Sequence, residues 1–107
     1  MLSKKNRANT KEVGLIFKEG NSLSSTSLIF KYLKNSERET KISFIAPKNA
    51  AKLAVQRNFL RRLGYRVLEK YIKQFPAGIT GVFVFKSYQD DILILENEIK
   101  NILHKIN

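Results

Sequence analysis

From Lys48 to Lys73, eight Lys and Arg side chains stand against a single acid, Glu69, in a stretch whose apolar residues recur at helical spacing. Leu53, Leu60, Val67 and Tyr71 lie seven or four residues apart, with Leu63, Leu68 and Phe75 flanking them. The segment from about Ala50 to Gln74 therefore reads as one amphipathic helix, ended by Pro76, Ala77 and Gly78. Such a helix needs a second layer under its apolar stripe and leaves its cationic face in water. Any fold for this chain must supply the first without covering the second.

The flanking segments offer that layer. Residues 1–8 read as a basic arm. Asn9 can cap a short helix, with Glu12 three residues later as the partner of a capping box, Val13, Ile16 and Phe17 on its apolar side, and Gly20 as its stop. Asn21 to Ser27 is polar and Ser-rich, a turn or a strand entrance. Leu28 to Leu33 and Ile42 to Ala46 are rich in β-formers and are joined by a polar, hairpin-like connection from Asn35 to Thr40, which suggests an antiparallel pair. Ile79 to Phe85 has few polar positions and reads as a central strand. Ser87 and Asp90 form a second capping-box pattern before a last helix with Ile92, Leu95, Ile99, Ile102, Leu103 and Ile106 on one side. The order is α-β-β-α-β-α, an α/β (α+β) arrangement with helices on a mixed sheet. No repeat or linker divides it, so residues 1–107 read as one domain.

The chain carries 20 Lys and Arg against 9 Asp and Glu, a net charge of +11, and seven of those net charges fall between Lys48 and Lys73. A small domain with that excess repels itself unless an anion compensates, so a polyanionic partner is expected. Arg57 and Arg61 are four residues apart, as are Arg62 and Arg66, so each pair stacks on adjacent turns. On a helical wheel the Arg57 pair borders the apolar stripe, while the Arg62 pair, Lys70 and Lys73 take the solvent side. The planar guanidinium fork suits phosphate, donating two parallel hydrogen bonds. An ordinary solvated face would interleave acids. Here they are nearly missing, and Asn58 sits between the two Arg positions, where it does nothing for a core.

The run Ala54-Val55-Gln56-Arg57-Asn58-Phe59-Leu60-Arg61-Arg62 resembles the Arg-Asn-Arg signature of the bacterial ribonuclease P protein family. Leu2-Ser3-Lys4-Lys5-Asn6-Arg7 and Ile16-Phe17 with Gly20 are similar to that family's N-terminal start and first helix. The chain departs from the pattern at Phe59, usually Arg, at Asn49, usually Lys, and at Tyr65, often Arg. The resemblance implies a two-layer sandwich with a four-stranded mixed sheet and a left-handed βαβ crossover, which general chain statistics would not favour. It implies binding of the catalytic RNA by Arg57, Asn58, Arg61 and Arg62, with Lys48, Lys52 and Arg66 beside them. It also implies a cleft for the 5′ leader of precursor tRNA, where Phe17 matches a cleft aromatic and Lys31 and Val13 fall at others. Phe17 is equally readable as a core residue of an amphipathic helix. Tyr32, one position off, would point to the opposite face of its strand.

Chemistry within the chain is thin. A metal-dependent nuclease clusters carboxylates around hard cations, yet only Glu69 lies in the basic region, and Asp90 and Asp91 are explained by opening a helix. The one His, His104, reads as a surface residue near the end of the chain, and there is no Cys. The resemblance implies that Mg²⁺ is held mainly by the RNA subunit, with none bound by protein side chains alone. No apolar run approaches the roughly 20 residues of a membrane span, so a soluble cytoplasmic protein is expected. Composition alone leaves a ribosomal-protein-like RNA-binding module open. A membrane-surface protein ranks last, because the helix has a sheet to cover its apolar face.

Overall fold

A computed structural model describes residues 7–35 and 39–106. Most of the expected basic arm, and the middle of the connection between the second and third strands, lie outside these residues. The elements run α1 (Thr10–Glu19), β1 (Asn21–Ser24), β2 (Leu28–Lys34), β3 (Lys41–Ile45), α2 (Ala54–Tyr71) with a 3-10 turn over Ile72–Gln74, β4 (Ile79–Phe85) and α3 (Ile92–Ile106).

The four strands form one mixed sheet in the order β1-β2-β4-β3. β4 is antiparallel to β2 and parallel to β3, so α2 is the crossover of a βαβ unit. The expected antiparallel pairing of β2 with β3 is therefore wrong. β4 lies between them because it is the one strand buried almost throughout on both faces, and only an interior position provides that. Asn35, at the end of β2, is tied to β4 instead. Its backbone N–H donates to Gly78 O at 2.6 Å and its side chain donates to Thr80 Oγ1 at 2.7 Å. The fourth strand, β1, comes from the Ser-rich stretch read as a turn or strand entrance; it pairs with β2 from Asn21↔Tyr32 to Ser24↔Ile29.

Strand alternation sorts the two faces. Phe30, Ile42, Phe44, Phe83 and Phe85 join the buried residues of α2 and α3 in one core. Phe83 is its centre, 4.4 Å from the Phe30 ring and 4.9 Å from the Phe44 ring. The alternate positions look the other way and meet α1 through the fully buried Ile16. Gly64 lets α2 lie close to β3, since a Cβ there would stand 2.6 Å from the Phe44 ring.

Caps fix the helix starts. Asn9 Oδ1 accepts from the Glu12 N–H at 2.8 Å, while the Asn9 N–H donates to Glu12 Oε1 at 2.9 Å, which is the expected capping box. The second expected box, Ser87 with Asp90, does not form. The last helix starts later, and Asp91 Oδ1 accepts from the Leu93 and Ile94 N–H groups. Asp91 thus takes the capping role that its position at the helix start suggested.

One acid has a role that its pattern concealed. Glu98 of α3 is buried, and its Oε1 accepts from the Ser27 N–H at 2.6 Å and from the Ser25 hydroxyl. It pins the β1–β2 turn to α3. Replacing Glu98 with Ala orphans a buried donor and should cost about 1–3 kcal/mol. Glu98→Gln keeps an acceptor and should cost less. Urea titration of the two variants measures the difference, and equal losses would show that the turn does not depend on this bond.

Candidate nucleic-acid interface

The loop before α2 turns tightly, with the Ala50 and Ala51 N–H groups donating to Pro47 O at 3.0 and 3.2 Å. Ala50 and Ala51 are buried, which leaves Lys48, Asn49 and Lys52 exposed. Arg57 fastens this loop to the helix: its Nη1 donates to Ala51 O at 3.1 Å and to Lys52 O at 2.8 Å. Arg57 is half-buried, as its place beside the apolar stripe implied, and it holds the backbone of the loop at Ala51 and Lys52. Its partner Arg61 is instead exposed, with Nη1 donating to Asn58 Oδ1 at 3.3 Å. Arg62, Arg66 and Lys70 are exposed along the same helix, and Lys73 is exposed in the 3-10 turn that follows it. The N-cap of α2, Leu53, offers no side-chain cap and the first turn has no acid, unlike α1, with only the neutral Gln56 Oε1 accepting from the Leu53 N–H at 3.4 Å, so the positive end of its dipole adds to the field.

Tyr65 is not part of the exposed face. It is buried, packs edge-on against Phe44 at 5.3 Å, and its hydroxyl oxygen accepts from the Phe44 N–H on the edge strand β3. An Arg at this place would have to bury a charge against the Phe44 ring. The departure from the family pattern is thus a packing choice. It also creates a cation site, because the Arg7 guanidinium lies 4.3 Å above the Tyr65 ring.

Arg7 is the residue that sequence reasoning left in the arm. With Asn58, Arg61, Arg62 and Tyr65 it lines a shallow pocket of about 240 Å³. Three guanidinium-bearing residues from two distant parts of the chain border one concavity. Its signal was present only as a basic residue near the start; the juxtaposition depends on the tertiary fold. The next residue, Ala8, accepts from Ser43 Oγ at 3.0 Å on the α1 side of the sheet. The chain therefore wraps the β3 edge and links the α2 face to the α1 face.

On the α1 side, Phe17 is 44% exposed, so the reading as a core residue is wrong; Ile16 fills the core position. Lys31 of β2 places its Nζ 5.0 Å from the Phe17 ring centroid, bringing the two candidate leader-binding residues together. Val13, one turn before Phe17 on α1, is half-buried. Tyr32 stacks on Phe30 at 5.4 Å on the opposite face, as strand alternation requires.

The arrangement can bind phosphates and stack bases. Among the described residues no group of three or more His, Asp or Glu is placed to hold a metal ion. His104 is exposed on α3, and no helix among the described residues is long and apolar enough to cross a membrane.

A family model described as Ribonuclease P matches residues 2–107. No curated protein matches the sequence. Among solved structures, the RNase P protein from Thermotoga maritima is similar with a TM-score of 0.81 at 22% identity, over 94% of this chain and 97% of that one. Two structures of the RNase P protein from Staphylococcus aureus give TM-scores of 0.76. One is 16% identical over 94% of this chain and 95% of that one; the other is 18% identical over 99% and 92%. At these identities the structural likeness concerns the fold, and the family match concerns the protein.

Proposed function

The chain belongs to the ribonuclease P protein family, and from that premise we propose that its α2 face holds the catalytic RNA while the chemistry stays with that RNA. Membership makes it a subunit of ribonuclease P, acting in maturation of the tRNA 5′ end. The observation that carries the proposal is the run of exposed cations on α2, with Glu69 its lone acid. In this reading Arg61, Arg62 and Arg66 neutralise RNA phosphates, Lys48 and Lys52 extend the contact, and Arg57 and Asn58 order that surface. Phe17 and Lys31 receive the single-stranded 5′ leader of precursor tRNA, a base stacking on the ring while the ammonium meets a phosphate.

In this reading Mg²⁺ belongs mainly to the RNA. The protein then helps by supplying fixed positive charge where two RNA backbones approach, work that otherwise falls to diffusible cations. Its place is the cytoplasm, with its RNA partners, and the whole chain works as one domain.

The test is cleavage of a 5′-extended precursor tRNA at low Mg²⁺ by the catalytic RNA from the same source, with and without the protein. Cleavage should appear only when both are present. Binding without rescue would favour an RNA-binding module of another kind, and cleavage by protein alone would place an active site in the chain.

A further inference from the structure

Phe59 stands where the family usually has an Arg, on the most basic helix of the chain, and it is 45% exposed. A lone exposed Phe needs no explanation. This one is not isolated. Val55, one turn earlier, is 75% exposed, and Val55, Phe59, Arg62 and Arg66 follow each other at spacings of four, three and four residues. That spacing lays them along a single stripe, apolar at the start of α2 and cationic further on. The stripe runs beside the Asn58 and Arg61 positions and meets the pocket that Arg7 borders at Arg62, which belongs to both.

An apolar ring bordered by guanidinium groups suits one kind of occupant well. A second copy of this chain would bring two +11 bodies together through their most basic helices, which like-charge repulsion opposes. Single-stranded RNA offers what the stripe lacks, phosphates for the arginines and a flat π-face for the ring. We propose that Phe59 is a stacking platform for an unpaired nucleobase of the catalytic RNA, with Arg62 and Arg66 on the adjoining phosphates. This deepens the reading of α2 as the RNA face and rests on it. The substitution exchanges one phosphate contact for one stacking contact, so it changes the kind of binding energy at that position.

The exchange is measurable because stacking and phosphate contacts respond differently to salt. Phe59→Ala should weaken binding of the ribonuclease P RNA by about tenfold with an unchanged salt slope. Phe59→Leu, which keeps apolar area but loses the ring, should recover little of that loss. The chain contains no Trp, so Phe59→Trp introduces a single indole whose emission should be quenched on binding. Arg62→Ala is measured alongside. If Arg62→Ala lowers the slope while Phe59→Ala binds as the parent does, or Phe59→Leu binds fully, the stacking proposal is overturned and the RNA face stands. If Arg62→Ala leaves the slope unchanged, the reading of α2 itself fails. Sedimentation showing a dimer that Phe59→Ala dissolves would also overturn the proposal.

Discussion

With Arg61 and Arg62 both replaced by Ala, the slope of log affinity for the ribonuclease P RNA against log salt should fall by up to about two units. Each arginine in contact with a phosphate displaces roughly one condensed counterion, and salt competes with each displacement. Raising salt from about 50 to about 200 mM should then cost the double variant roughly tenfold less affinity than it costs the parent. Stability should barely change. Both side chains are exposed, Arg61 has only a 3.3 Å bond to Asn58 on its own helix, and Ala is the better helix former. Lys100→Ala, an exposed charge on α3, removes a charge away from that face and serves as the control for net charge alone. Equal slopes for the double variant and the parent would remove this part of α2 from the interface. The two sites are adjacent, so their separate effects need not add.

The same residues show which features a chain discloses and which it withholds. α2 was readable because its stripe and its charge are local, and both survive in Leu60, Val67 and the exposed arginines. Asn9, Glu12 and Gly20 were readable for the same reason, since a cap and a stop need only their neighbours. β4 could be placed at the centre from its apolar run, but not its partners, because strand pairing is a long-range choice that no local pattern encodes. β1 was hidden for a different reason. Asn21, Ser22 and Ser24 are exposed and carry no alternation, so the strand exists only because β2 offers it a free edge. Arg7, Tyr65 and Glu98 were withheld by geometry: each owes its role to a residue far away in sequence, the Tyr65 ring for Arg7, the Phe44 N–H for Tyr65 and the Ser27 N–H for Glu98.

The second large effect is expected in the core that holds this face in place. Phe83 is fully buried at the middle of β4, with Phe30 from β2 on one side and Phe44 from β3 on the other. Phe44 in turn carries the close approach of α2 at Gly64 and the ring of Tyr65. Phe83→Ala removes the ring on which these contacts converge and should cost about 3–5 kcal/mol, a large share of the roughly 5–15 kcal/mol available to a domain. The urea midpoint should drop accordingly. A midpoint close to the parent's would mean that the neighbouring rings collapse into the space and that α2 does not depend on this stack. RNA should offset part of the loss, because a ligand that binds only the folded chain adds about 2.7 kcal/mol when present at a hundred times its dissociation constant. Cleavage in the complex should therefore fall less than the stability of the free protein. That difference separates damage to the scaffold from damage to the RNA face, since the Arg61 and Arg62 variant should show the reverse: a stable protein with weakened RNA binding.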